Sequence, residues 1–213
     1  MAAQTQSLRT NAIKAKIDKS QANEKCRLCK SKEETVNHIV SGCQNLAQKE
    51  YRRRHDTVAK ALHWDILRQK GFPHEPQWYK HDPEAVVEND KFKILWDFTI
   101  QTDHIISARR PDIVVIDKQE KKCQIIDVAI PVDGRIDKKE EEKIEKYQEL
   151  GREIKKLWNL KVKVIPIVVG ALGSVTERLN EYLSEMGVTT RVELIQKSTL
   201  LGSARILRKV LEV

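Results

Sequence analysis

The sequence predicts an α/β fold in which helices flank a mixed β-sheet. Three observations support this prediction. Short apolar segments of the kind that form strands recur between residues 92 and 130, an amphipathic helix is predicted at 137–158, and a further buried strand follows at 160–169. Strands joined by tight turns pair antiparallel, whereas a strand that follows a helix pairs in parallel, so these connections predict a mixed sheet.

Composition divides the chain into four stretches. Residues 1–25 are polar and are predicted to be a mobile leader or linker, and residues 26–43 contain three of the four cysteines. Residues 44–82 comprise a basic helix, predicted at 44–71, and a proline-containing linker. Because the prolines mark a boundary, the larger α/β domain is predicted to occupy residues 83–213.

The elements of the larger domain follow from hydrophobic periodicity. Alternating or continuous apolar residues predict strands at 92–101, 104–108, 112–117, 122–130 and 160–169, and a short strand at 188–195. Helices are predicted at 137–158, 175–186 and 197–212. The polar residues 118–121 predict a hairpin turn between the third and fourth of these strands.

Composition and charge exclude several classes of protein. The chain has 213 residues, of which 40% are hydrophobic and 33% charged, with only 8 Gly, 6 Pro and 4 Cys. These proportions exclude a fibrous or disulfide-rich protein. No apolar run approaches the roughly 20 residues that span a bilayer, so no membrane partner is expected. Because the N-terminus lacks the apolar stretch of a secretory signal, an intracellular location is predicted.

The positive charge is concentrated in the N-terminal third of the chain. The formal net charge is +8, and residues 1–82 contain 16 of the 39 Lys and Arg residues but only 9 of the 31 Asp and Glu residues. A basic segment beside a nearly neutral domain is typical of proteins that bind nucleic acid. The alternative is an arm that only increases solubility.

Three cysteines and a histidine have the spacing of a zinc knuckle. The pattern is C-x2-C-x8-H-x4-C and comprises Cys26, Cys29, His38 and Cys43. Three thiolates and one imidazole complete a tetrahedral Zn²⁺ shell, and such a closed shell is structural. Because a segment this short cannot bury a core of its own, metal binding would supply its folding free energy. The alternative is a set of unrelated thiols and a surface histidine, and Cys123 is predicted to be an ordinary core residue.

Two aspartates predict a second metal site. Asp112 ends the sequence Arg-Arg-Pro-Asp, and Asp127 follows after fourteen intervening residues on the next predicted strand. A hairpin between these strands could bring the carboxylates together, which favours a hard cation such as Mg²⁺ or Mn²⁺. Such an ion can position water for attack on phosphorus. Asp127 interrupts the apolar run 125–130, where a charge needs a partner. The alternative is a strand cap and a residue on a polar face.

Lysines on the helix that follows are candidates for the same site. Lys143 falls near the centre of the apolar stripe of the predicted helix, and Lys146 falls farther from it. A lysine facing the sheet is explained if its ammonium group meets an anion, such as a phosphate or an attacking hydroxide. The alternative is a side chain that extends past the edge of the stripe into solvent.

Other basic residues are candidates for contacts with phosphates. The predicted helix 44–71 contains a compact basic block formed by Arg52, Arg53, Arg54 and His55. Phosphate contacts from this block would make DNA affinity strongly dependent on salt, whereas the alternative is a solvated helix face. Arg109 and Arg110 adjoin Asp112 and could hold a phosphate by bidentate hydrogen bonds. No basic cluster flanks any tryptophan in the sequence, so packing is predicted rather than base stacking for Trp64, Trp78, Trp96 and Trp158.

The order of these motifs resembles the C-terminal region of non-LTR retrotransposon polyproteins. That region carries a CCHC zinc knuckle followed by a restriction-like endonuclease of the PD-(D/E)XK superfamily, and the resemblance covers roughly residues 20–213. It implies a restriction-endonuclease-like fold and Mg²⁺ ligation by Asp112 and Asp127. It also implies a catalytic lysine from the following helix, where Lys143 or Lys146 matches, with Tyr147 beside it.

The sequence departs from the common pattern of the superfamily at one position. Most members place the lysine two residues after the second acid, where this chain has Ala129. The retroelement branch places its lysine on the helix, which agrees with the motif found here. Many members also have an earlier acidic residue, for which Glu84 and Glu88 are candidates and Asp97 is a weaker one.

The resemblance implies a nuclear enzyme that uses Mg²⁺ to nick target DNA and exposes a 3′-hydroxyl that primes reverse transcription. The implied partners are DNA and, beyond it, the element RNA and upstream reverse-transcriptase domains. One alternative is a catalytically inactive or domesticated protein of the same fold that serves as a zinc-containing nucleic-acid-binding adaptor. A third hypothesis is a resolvase-like nuclease that acts on branched DNA.

Overall fold

A computed structural model describes residues 2–212, which form a mixed sheet flanked by helices. The strands are β1 (Val86–Glu88), β2 (Phe92–Trp96), β3 (Ile113–Asp117), β4 (Lys122–Ala129) and β5 (Lys161–Val168). The helices are α1 (Asn11–Lys16), α2 (Gln44–Leu46), α3 (Arg52–Gln69), α4 (Ile136–Lys146), α5 (Gln148–Trp158), α6 (Leu179–Met186) and α7 (Val192–Leu211). The predicted α/β class is therefore confirmed.

The five strands lie in the order β1-β2-β3-β4-β5. The first three pairs are antiparallel, and β4 pairs in parallel with β5 after the crossover through α4 and α5. The predicted hairpin is present, since Asp117 pairs with Lys122 at its closed end. Its turn contains Lys121 with a φ of 49°. The antiparallel hairpin and the parallel return explain why the sheet is mixed.

Helices cover both faces of the sheet. On one face, α3 and α6 pack against strand residues in a core that includes Leu62, Ile126, Ile165 and Leu183. On the other face, α5 packs through Leu150 and other apolar residues. Buried residues of α3 recur three or four positions apart, which explains why this segment is a helix with one face on the sheet. The helix α3 therefore shares one hydrophobic core with the strands.

The structure differs from the sequence prediction at several elements. The predicted strand at 104–108 is wrong: Ile105 is exposed and Ile106 is buried, an alternation that resembles a strand, but the segment has no ladder partner. The predicted strand at 188–195 is also wrong, because α7 already begins at Val192. The predicted helix 137–158 is divided at Tyr147 into α4 and α5.

The first long strand also ends earlier than predicted. It was predicted over residues 92–101, but β2 ends at Trp96, and the next residue, Asp97, has a φ of 45°. This left-handed conformation ends the extended backbone and turns the chain away from the sheet. Within residues 2–212, no helix is both long and apolar enough to cross a membrane.

Candidate functional site

The three cysteines and the histidine of the predicted knuckle form one cluster. The ligand atoms of Cys26, Cys29, His38 and Cys43 all lie within 4.8 Å of one another. The Sγ atoms of Cys26 and Cys43 are 3.9 Å apart, and Cys29 Sγ lies 3.3 Å from His38 Nε2. Around a tetrahedral zinc with bonds of about 2.3 Å to sulfur, two thiolates would lie about 3.8 Å apart. The four residues could therefore hold a metal ion, and their geometry is compatible with zinc.

Backbone hydrogen bonds position these ligands. The amide of Cys26 donates to Lys32 O at 2.8 Å, which closes the turn that carries the first two cysteines. A hydrogen bond from the Ser31 hydroxyl lowers the pKa of the Cys29 thiol to about 5, whereas burial raises the pKa of the Cys43 thiol to about 11. A π-helical turn begins at the ligand His38 and ends at Gly42, directly before the ligand Cys43. Thiolates are the form that binds metal, so the Cys29 environment favours ligation.

The knuckle packs against the C-terminal helix. Its buried residues Cys26, Ile39 and Cys43 belong to one apolar cluster with Ile206 and Val210 of α7. A charged contact adds to this packing, because Arg27 pairs with the fully buried Glu34 and also donates to the Val210 carbonyl at 3.1 Å. The metal-binding segment is therefore fixed to the larger fold by apolar and polar contacts.

Three aspartates stand in a row across one end of the sheet. Ile113 pairs with Ile126, so Asp112 and Asp127 lie opposite each other one position beyond the last pair of β3 and β4. Asp97 lies opposite Asp112 in the same way, and its amide donates to Asp112 O at 2.8 Å. We call Asp97, Asp112 and Asp127 the acidic row. Their carboxylates contact different helices: the Asp112 carboxylate meets α3, whereas the Asp127 carboxylate meets α4.

Asp127 is the most enclosed member of the acidic row, with only 3% of its surface exposed. The Lys143 ammonium contacts its Oδ2 atom, the Tyr147 hydroxyl donates to its Oδ1 atom, and Lys146 Nζ lies 3.5 Å from the same oxygen. Lys146 also donates to the Tyr147 hydroxyl at 2.8 Å. Burial and the charge of Asp127 raise the pKa of Tyr147, so the phenol stays protonated and donates. The lysines and the tyrosine proposed from sequence thus converge on one buried carboxylate.

Asp112 is held by a different set of partners. Its Oδ2 atom accepts from the Val128 amide at 2.7 Å and lies 3.1 Å from His55 Nε2. The same imidazole nitrogen lies 3.2 Å from the Val128 carbonyl oxygen. Burial would lower the pKa of His55, but its hydrogen bonds and charge interactions with Asp112 and Asp56 raise that pKa to about 9. His55, predicted to contact DNA from the basic block, therefore lies instead against the acidic row.

Position along the strands decides which of the other acidic candidates, Glu84, Glu88 and Asp97, lies near Asp112 and Asp127. Glu88 forms ion pairs with Lys93 and Lys118. It lies opposite Lys93 of β2, which is four residues, or roughly 13 Å, from Asp97 of the acidic row. It is therefore too far away to join Asp112 and Asp127. Glu84 is exposed near the correct end of β1, but Asp97, the weaker candidate from sequence, is the residue in register with the other two aspartates.

The arginines have several different environments. Arg110 binds Asp97 through two hydrogen bonds of 2.7 Å while its side chain stays 58% exposed, and Arg109 is half-buried. Arg52 and Arg53 are exposed on α3. Arg54, predicted to bind DNA with its neighbours, is instead buried, with only 3% of it exposed. Its guanidinium donates at 2.8 Å to the Val40 carbonyl and to the Ser203 hydroxyl, so it joins α3 to the knuckle and α7.

Comparisons with known proteins do not identify a family for this chain: no family model matches it, and no curated protein matches it significantly. A functional assignment therefore depends on the side chains that the fold brings together. The Cys/His cluster and the acidic row with its lysines and tyrosine are the two groups from which a function can be argued.

Proposed function

We propose that this chain is a divalent-metal-dependent DNA endonuclease with a restriction-like fold and a structural zinc knuckle. The observation that carries the proposal is the convergence of Lys143, Lys146 and Tyr147 on Asp127, directly opposite Asp112. A buried carboxylate that two lysines and a tyrosine contact is more polar than packing requires, and such clusters of ionisable groups are candidates for functional sites.

The donor atoms of the acidic row fit a hard divalent cation. Asp112 and Asp127 offer carboxylate oxygens at one end of the sheet, and the Val128 carbonyl oxygen lies 3.2 Å from the same His55 nitrogen that approaches Asp112. Oxygen ligands of this type, completed by water and phosphate oxygens, suit Mg²⁺ or Mn²⁺. The Lys143 ammonium lies on the buried Asp127 Oδ2 atom, so a cation bound by Asp127 would lie close to this lysine.

Asp112 and Asp127 would hold the catalytic ion. When bound, that ion would lower the pKa of a coordinated water and stabilise charge on the departing oxygen. Lys143 is only 18% exposed, so its ammonium is directed into the site, where it can orient the attacking water or a phosphate oxygen. Tyr147 fixes the Asp127 carboxylate by donating to it, and the Val128 amide fixes Asp112.

The proposal also assigns DNA contacts to the exposed arginines and a biological role to the nuclease. Arg52, Arg53 and Arg109 would bind phosphates of the DNA, and Arg110 orders Asp97 at the edge of the acidic row. The order of the motifs resembles a retroelement endonuclease, so we propose nicking of target DNA in the nucleus. The strand would break between phosphorus and the 3′ oxygen, and the 3′-hydroxyl released would prime reverse transcription of the element RNA by the partner polymerase domains.

Nicking of supercoiled plasmid tests the proposal. We expect the wild-type protein to nick plasmid with Mg²⁺ and to be inactive without it. We expect Asp127→Asn to lower the nicking rate at least about 100-fold, because the neutral amide binds a divalent cation weakly. Glu88→Gln provides a matched control, since this acid lies far from the row, and its activity should equal that of the wild type.

Two results would contradict the nuclease proposal. Nicking that persists in Asp127→Asn would assign the activity to another site or to a contaminant. An inactive wild-type protein that binds DNA with strong dependence on salt would favour the zinc-containing adaptor.

A further inference from the structure

A groove with basic walls runs along α3 beside the short helical turn Trp78–Lys80. Trp78 lines two adjoining cavities of about 570 and 490 Å³, the first beside the start of α3 and the second between α3 and α7. We call this surface the Trp78 groove. The lining residues that matter for its chemistry are Arg52, Arg53, Trp78, Tyr79, Lys197 and Arg205.

The Trp78 groove has an excess of positive charge. Its two acidic side chains are already neutralised, because Glu50 pairs with Lys209 and Asp56 pairs with Arg52. Four of its exposed cations form no ion pair with any residue between 2 and 212: Lys49, Arg53, Lys197 and Arg205. Unpaired guanidinium and ammonium groups along a concave surface favour a polyanion as the ligand.

Two aromatic rings lie among these cations. The Tyr79 side chain is 65% exposed, and it meets the half-buried Trp78 edge to face with ring centroids 6.1 Å apart. A tyrosine with this exposure is not part of the core, so one face of its ring is available to a ligand. Exposed aromatic rings in a positively charged groove are the arrangement on which unpaired bases stack.

We propose that the Trp78 groove binds single-stranded nucleic acid. Unpaired bases would stack on Tyr79 and Trp78, while Arg53, Lys197 and Arg205 would bind the backbone phosphates. Duplex DNA keeps its bases stacked on one another, so it would use the cations but not the rings. The sequence-based prediction that Trp78 only packs relied on its neighbours along the chain, whereas these cations come from α3 and α7.

The proposal does not require the acidic row to be catalytic, and a binding experiment without Mg²⁺ tests it separately. Fluorescence anisotropy would measure binding of labelled oligo(dT), oligo(rU) and a matched duplex, each of about 12 nucleotides per strand, to the zinc-loaded protein. We expect Tyr79→Ala to weaken single-strand binding about tenfold and duplex binding less than about twofold. Tyr79→Phe keeps the ring and should bind like the wild type.

The outcomes separate this proposal from its alternatives. The two single-stranded probes identify whether DNA or RNA is preferred, and the proposal requires the loss in Tyr79→Ala for at least one of them. Equal loss for duplex and single strands, or no loss for either single strand, would overturn it. Asp127 does not line the groove, so unchanged single-strand binding by Asp127→Asn together with absent nicking would support both proposals independently. Loss of single-strand binding in Asp127→Asn would overturn the assignment to the groove.

Discussion

Replacing Lys143 by alanine is expected to lower the rate of Mg²⁺-dependent nicking about 100-fold, whereas Lys146→Ala should lower it less than about tenfold. The two lysines differ in their relation to Asp127. Lys143 contacts the buried Oδ2 atom directly and is 18% exposed, while Lys146 is 43% exposed and lies 3.5 Å from the Oδ1 atom. The geometry thus distinguishes two residues that the sequence left as alternatives, and it favours Lys143 as the catalytic lysine of the proposed nuclease.

The comparison needs a measurement of stability, because Lys143→Ala removes the closer of the two ammonium groups at a buried carboxylate. Thermal unfolding of both variants would separate loss of fold from loss of catalysis. Lys143→Arg keeps the charge and should retain stability, although the larger group would orient a water differently. A greater loss of activity in folded Lys146→Ala than in folded Lys143→Ala would contradict the assignment.

Removal of the metal ion from the Cys/His cluster is expected to lower the free energy of unfolding by on the order of 5 kcal/mol. The cluster joins the knuckle to α7 through Cys26, Cys43 and the apolar residues packed around them. Without the ion, the four ligands no longer hold the segment together, and the segment has no core of its own that could replace the lost metal bonds. Thermal unfolding with and without a zinc chelator measures the effect, and added Zn²⁺ should reverse it.

Two serine variants separate metal ligation from thiol burial. Cys43→Ser removes a ligand and should abolish the response to the chelator. Cys123→Ser provides the control, because Cys123 is a buried residue of β4 outside the cluster. It should keep one equivalent of bound zinc and the full response to the chelator. A wild-type protein whose unfolding temperature does not change with chelator would contradict a structural metal.

Local patterns made most of the fold predictable. The hairpin of β3 and β4, the amphipathic α5 and the strand β5, whose second half is buried, each depend on residues close together in sequence. The segment 104–108 has the alternation of a strand, but pairing requires a free neighbouring edge, and that depends on the whole sheet. The early end of β2 depends on the backbone of a single residue, Asp97, which periodicity cannot reveal.

The candidate site was predictable where its residues share a short motif or a hairpin register. Asp112 and Asp127 are brought together by one turn, and the lysines follow on the next helix. His55 is predicted to contact DNA because it adjoins three arginines in sequence, whereas its partner in the structure, Asp112, lies 57 residues away along the chain. Arg54 likewise looks like a surface residue until its contact with Ser203, 149 residues distant, shows that it is buried. Long-range packing therefore decides which basic residues are available.

Mn²⁺ titration followed by electron paramagnetic resonance tests most directly whether Asp112 and Asp127 hold a divalent cation. The zinc-loaded wild-type protein is predicted to bind one Mn²⁺ ion that Mg²⁺ displaces. Asp112→Asn and Asp127→Asn should each lose this site while Glu88→Gln keeps it. Equal Mn²⁺ binding by the wild type and both aspartate variants would contradict a metal site at the acidic row, and with it the proposed mechanism.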